Sequence, residues 1–408
     1  MMPNFDNEKL TQLFAETGEA INRRWEETDF AWESFPAIAE EFLQDNCPLV
    51  HVAPEDLYHW VLTSSQLPKQ HDLKASFAQP PITVYCDSRF HIAFLFWTTS
   101  TTAIHQHSFE GAFRVFLGSS IQATYEFTEE ERWGAHLLRG RLDMQSLEVL
   151  PTGKVCAITY GSSYIHSAYH LDNPSITLII RTHGRPQPAD AQYNYYPSGL
   201  ATDPFHKREQ LERVKQLLSY LQGIKDPQFL ARVQEALDAT DAFGVYQILY
   251  HLNGSLPPDE LSALIERIGT RFGQGFADVL PVFFRERERT LRLVQARQTM
   301  TDPEGRFFLA LLLNTSDKDQ FRSLLCERFP NVKPEDVTTR WVTELLKTNS
   351  LGIESSSFSG MLVRGMLSGL SKAEILHKLA PILRTQENSE AFKTHAEELI
   401  DLFHPAFD

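Results

Sequence analysis

Between Pro80 and Gly199 the chain changes its hydrophobic period, and that change constrains the fold more than any other feature. Short runs rich in β-branched and aromatic residues follow one another: Ile82 to Tyr85, Phe90 to Trp97, Phe113 to Leu117, Ile121 to Phe127, Leu147 to Leu150, Val155 to Tyr160 and Ile176 to Arg181. Turn formers separate them at Gly118, Pro151 to Gly153, Gly161 and Asn173-Pro174. Short strands at such even spacing predict an all-β sandwich or barrel.

The flanks read differently. Leu10, Leu13, Phe14, Ile21 and Trp25 recur at helical spacing, as do Phe35, Ile38, Phe42 and Leu43, and a further helix is expected from Glu55 to Leu62. After about Pro204 the pattern is helical again. Leu211, Val214, Leu217, Leu218 and Leu221 form one apolar stripe closed by Gly223, and later helices are expected to start at Asp226-Pro227, Pro257-Pro258, Asp302-Pro303 and Lys333-Pro334. The basic cluster Arg285, Arg287, Arg289 and Arg292 alternates with glutamates and reads as a solvated, salt-bridged helix face. At 408 residues, more than one domain is the better expectation. The reading is an N-terminal helical region over 1–75, an all-β sandwich or barrel over 76–200 and a C-terminal helical domain over 204–408.

The stretch Ala103-Ile-His105-Gln-His107-Ser-Phe-Glu110 carries the chemistry. Histidines at i and i+2 of a strand share a face, so two imidazoles stand side by side at chelating distance. A third ligand must come from another strand, and Gly161-Ser-Ser-Tyr164-Ile-His166 supplies one. On a continuing strand His170 shares the face of His166, as a fourth ligand or as its replacement. Glu110, three residues after His107, is a further candidate ligand.

These residues resemble the cupin superfamily, and within it the thiol dioxygenases of the cysteine dioxygenase type. Phe90-His-Ile-Ala-Phe-Leu-Phe-Trp97, Ile104-His-Gln-His107, Phe116-Leu-Gly118 and Thr124 are similar to the family's first motif, and Ile165-His166 with Asn173-Pro-Ser-Ile-Thr-Leu to its second. The likeness spans roughly residues 80 to 185. It implies a cupin β-barrel (jelly roll), which with the helical flanks read above makes an α+β protein with N-terminal helices and a large C-terminal all-α domain. It implies Fe(II) held by His105, His107 and His166 with three coordination positions open, other divalent metals (Mn, Ni, Cu, Zn) being alternatives. Three neutral imidazoles leave the ion its charge, so it can take an anionic substrate and dioxygen.

Several departures narrow the substrate. Where the family has a catalytic tyrosine this chain has Arg181, and where it has a histidine two residues earlier this chain has Ile179. Tyr85 is followed by Cys86-Asp87 rather than a carboxylate-binding arginine, and the family's cofactor cysteine falls near Ala112. Free cysteine is therefore not the expected substrate. Arg181 and Tyr164 are the candidate substrate-holding residues, with Gln106, Glu110 or Asp172 as hydrogen-bond partners of the ligands. His170-Leu-Asp172 also opens the facial triad of 2-oxoglutarate oxygenases, but His183 follows only 11 residues later, too soon for the third ligand. His51, His59, His71, His136 and His206 have no partners at ligand spacing.

A net charge of −15 opposes nucleic-acid and anionic-membrane binding. No apolar run of about 18 residues predicts a membrane span, and the acidic start lacks a signal core. Cys47, Cys86, Cys156 and Cys326 form no CxxC pair and read as reduced, mostly buried thiols of a cytoplasmic protein. The expected partners are a small organic substrate, thiol or carboxylate, with dioxygen, and a second copy or a protein bound through the helical domain. The leading function is a non-haem iron dioxygenase. The rivals are a metal-dependent isomerase, lyase or hydrolase that uses no oxygen, and a non-enzymatic sensing module.

Overall fold

The computed structural model describes residues 6–73, 78–98, 102–184, 191–315, 317–347, 362, 365–366, 370–383, 396–397 and 400–403. Three helices open the chain: α1 (Asn7–Glu26), α2 (Phe35–Glu41) and α3 (Pro54–Thr63). Asp6 caps α1 by accepting the Lys9 amide at 2.8 Å, which satisfies one of the free N–H groups of the first turn.

The strands follow: β1 (Pro81–Cys86), β2 (Phe90–Trp97), β3 (Ile104–His107), β4 (Gly111–Leu117), β5 (Ser120–Gly134), β6 (Leu137–Leu150), β7 (Val155–Ile158), β8 (Gly161–His170), β9 (Ser175–Thr182), β10 (Asn194–Tyr195) and β11 (Leu200–Thr202). They form a five-stranded sheet in the order β1-β2-β9-β4-β7 and a closed ring of β10-β11-β6-β5-β8-β3. The remaining described helices are α4 (Glu209–Gly223), α5 (Phe229–Asp238), α6 (Ala242–Leu252), α7 (Pro258–Phe272), α8 (Gln274–Thr299), α9 (Pro303–Asn314), α10 (Lys318–Arg328), α11 (Pro334–Lys347) and α12 (Lys372–Leu383). This is the expected α+β architecture, a double-sheeted β-barrel between two helical regions. Among the described residues no helix is long and apolar enough to cross a membrane.

Strand alternation decides what each sheet face meets. Along β9, Ile176, Leu178 and Ile180 pack with Ala112 against the N-terminal helices, around the fully buried Phe14, Trp25, Phe35 and Trp60. Ile179 faces the other way with Ala93, Leu95, Trp97, Phe113 and Val115, and these fill the space between the sheets. Gly111 lets β4 lie against β9, since a Cβ there would stand 2.2 Å from the Ile180 carbonyl oxygen.

The helical half grips the back of β8. Tyr169, Leu171 and Ile121 share one core with α9 and α10. Two buried arginines reach the turn that ends β8: Arg297 donates to the His170 carbonyl, and Arg306 to the Leu171 carbonyl at 2.8 Å. Each guanidinium satisfies chain-end carbonyls that burial would otherwise leave unpaired.

Some expectations need correction. The β5–β6 hairpin has strands of 15 and 14 residues, far longer than the apolar runs, because its outer ends alternate charged and polar side chains. β8 starts at Gly161 and carries His166 in mid-strand, where the sequence suggested a turn, and β10 and β11 had no sequence signal. The basic cluster is not uniformly solvated. Arg292 pairs with Glu288 at 2.9 Å near the surface, but Arg289 turns inward to the Leu402 and Leu312 carbonyls at 3.0 and 2.5 Å. Of the cysteines, all free, only Cys47 is buried, and Cys326 is exposed.

Candidate metal centre

His105 and His107 lie on β3, and His166 lies opposite His105 on β8. A register irregularity separates the two β3 histidines, so that His107 pairs with Gly161, whose φ of +71° favours glycine. The bulge lets three imidazoles from two strands converge on one point.

One nitrogen from each ring lies within 4.8 Å of the other two. The Nε2 atoms of His107 and His166 are 3.0 Å apart. With metal–nitrogen bonds of about 2.1 Å, that is the spacing of two donors at roughly 90° about one ion. The ring planes meet at 76°, 46° and 52°, so the rings converge by their edges rather than stack.

The ligand tautomers are set by what lies behind the rings. His105 donates its Nδ1–H to the Ala103 carbonyl at 2.8 Å, and His166 donates its own to Gln122 Oε1 at 3.1 Å. Both leave Nε2 as the lone pair facing the centre, the usual outer-shell arrangement of a metal-binding histidine. Burial holds His107 and His166 well below the ordinary imidazole range, and the neighbouring His105 adds to the effect. The three rings are therefore neutral at physiological pH, as ligation requires.

The other candidates sit around this point. Tyr164 is beside it, its ring 4.6 Å from that of His166 and its hydroxyl donating to Gln122 at 3.0 Å. Burial raises its phenol above the ordinary range, so it stays protonated. Arg181 faces the same interior, but Phe109 stands between it and His107, at 4.7 Å from each. It pairs with Asp72 and donates to His91.

His170 is not in the cluster. It stacks on Trp97 at 4.1 Å, and its Nδ1 lies 2.9 Å from the Ser120 hydroxyl. The Glu110 carboxylate is also outside, receiving the Tyr160 amide at 3.1 Å. Of the two histidines the sequence left open, His166 is the one grouped with His105 and His107.

Among the suggested partners of the ligands, Gln106 turns away to Ala191 and Tyr195, and Asp172 takes the Ser119 hydroxyl at 2.7 Å. Sequence reasoning missed Gln122. Its signal was a polar side chain at an inward position of an otherwise apolar strand start, Ile121-Gln-Ala123. It also read His71 as unpartnered, whereas His71, His91 and His183 form a second group of three.

Two expectations follow from these contacts. Gln122→Leu removes the acceptor that orients His166 and should weaken metal binding about 10- to 100-fold, read by competition with a chromogenic chelator. The second concerns acid. Burial, with Arg297 and Arg306 nearby, pushes His170 down to about 3. The unfolded imidazole titrates near ~6.5, so the unfolded chain takes up a proton that the folded one refuses. The associated stability is intact above about pH 6.5 and drains away as pH falls toward about 3. The thermal deficit of metal-free His170→Gln relative to wild type should therefore shrink between about pH 7 and about pH 4; a constant deficit would contradict a neutral, buried His170.

No family model matches the sequence, and no curated protein matches it. Solved structures do show similarity. One is the DMSP lyase DddQ from Ruegeria pomeroyi DSS-3, with 15% identity over 37% of this chain and 76% of that one and a TM-score of 0.22. A structure from a study of the DMSP lyases RdDddP and RnDddQII shows 10% identity over 44% of this chain and 94% of that one, at a TM-score of 0.25. E. coli ycfD shows 12% identity over 52% of this chain and 46% of that one, at 0.20. Likeness at this level assigns neither a ligand nor an activity.

Proposed function

We propose that the chain is a metal-dependent cupin-type enzyme in which His105, His107 and His166 hold one divalent transition-metal ion, iron in the leading reading, beside a small organic substrate. The observation that carries this is the convergence of three neutral imidazoles between the two sheets, two of them with lone pairs fixed inward by Ala103 and Gln122. Bound iron would act as a Lewis acid with open positions for an anionic substrate and for dioxygen.

The chain's own residues supply the rest. Phe109 and Phe113 are buried beside the cluster and keep it apolar, which strengthens electrostatic interactions there. Tyr164 keeps its proton and can turn its hydroxyl from Gln122 toward a substrate oxygen. Arg181 lies across Phe109 from the cluster and is paired with Asp72, so it would hold a substrate carboxylate only by exchanging Asp72 for it.

One feature supports a second reading, an oxygen-independent lyase, isomerase or hydrolase. Glu110 is a buried carboxylate three residues from His107 whose Oε2 accepts the Tyr160 amide at 3.1 Å, and in this reading it would serve as the base. Oxygen uptake by iron-loaded protein with a panel of thiols and carboxylates, run beside anaerobic product analysis, separates the two. Uptake lost in His166→Ala supports the oxygenase. Anaerobic turnover supports the second reading, and turnover in neither contradicts an enzyme acting on these substrates.

A further inference from the structure

We propose a second metal site at the barrel mouth, formed by His71, His91 and His183, for a borderline divalent cation such as zinc. The three come from separate places: His71 lies between α3 and β1, His91 on β2, and His183 just after β9. The β2–β9 register sets His91 opposite Arg181, two residues before His183.

One nitrogen of each ring lies within 4.8 Å of the other two. The ring centroids are 4.4, 5.0 and 5.3 Å apart, against 4.6, 4.8 and 5.0 Å in the inner centre. His91 is 3% exposed, and its Nδ1 has no hydrogen-bond partner. His183 donates its Nε2–H to the Asp87 carbonyl at 3.0 Å, which leaves Nδ1 as a lone pair. The Cys86 thiol lies 3.2 Å from His71 Nε2, a soft donor beside the group.

One contact opposes ligation and defines how the site must work. Arg181 donates Nε–H to His91 Nε2 at 3.0 Å, and a guanidinium can only donate. A neutral His91 so engaged carries its proton on Nδ1 and offers no lone pair. The rings are also nearly parallel, at 6°, 24° and 19°, where the inner rings are steeply inclined. A cation therefore binds only if His91 turns and Arg181 lets it go, keeping its pairing with Asp72. Cation and Arg181 compete for one imidazole, which makes this the weaker of the two sites.

The test uses the full-length His107→Ala protein, in which the inner centre is disabled, titrated with Co²⁺ by absorption and equilibrium dialysis. It is indifferent to the reaction at the inner centre. One equivalent should bind, be lost when either His71→Ala or His183→Ala is added, and bind about 10-fold tighter or more when Arg181→Met is added. No cobalt in His107→Ala, or binding that survives both His71→Ala and His183→Ala, overturns the site. Unchanged affinity in the Arg181→Met background overturns His91 as its third ligand.

Discussion

Replacing His166 with alanine should strip the protein of its metal, while His170→Ala should leave the metal bound. The two histidines are four residues apart on one strand and share an inward face, so sequence alone treats them alike. Their surroundings do not. His166 Nε2 stands 3.0 Å from that of His107, with Gln122 behind it. His170 is stacked on Trp97 and held by Ser120, with the Arg297 guanidinium on its own carbonyl. Loss of a ligand should cost well over the about 10- to 100-fold typical of an outer-shell partner. Elemental analysis after gel filtration reads the result, and circular dichroism should show unchanged helical content. Metal retained by His166→Ala and lost by His170→Ala would reverse the assignment.

The second large effect is on stability. Trp25→Ala should destabilise the whole barrel by about 3–5 kcal/mol, the usual cost of emptying a large buried aromatic site. Trp25 is 1% exposed and packs against Phe30, Trp32, Phe35 and Phe90, the last on β2. Its Nε1–H is also committed, to the Ala31 carbonyl at 2.8 Å. The N-terminal helices thus share one core with the five-stranded sheet rather than hanging from it. Urea melts should show a lower midpoint with metal-binding stoichiometry kept below the transition. A loss under about 1 kcal/mol would mean that α1 packs on the sheet without supporting it.

What could be read from the sequence follows from how local its signals are. The near-continuous apolar runs of β2 and β9 are visible because both strands are buried over nearly their full length. The distal parts of β5 and β6 are largely polar, so only their buried starts and ends stood out. β10 and β11 are two and three residues long and exist only because β10 closes the ring against β3. The candidate ligands were legible because His-x-His is a local pattern. Gln122 and the His71–His91–His183 group were not, since each is assembled by pairing between distant segments. The role of Arg297 and Arg306 was hidden for the same reason, more than 120 residues from the carbonyls they hold.

An anomalous difference map of metal-loaded crystals, recorded at the absorption edge of the metal, tests directly whether three imidazoles from β3 and β8 hold one ion. A peak is expected about 2.0–2.2 Å from Nε2 of each of His105, His107 and His166. No peak there after loading, or one held instead by His170 or Glu110, would contradict it.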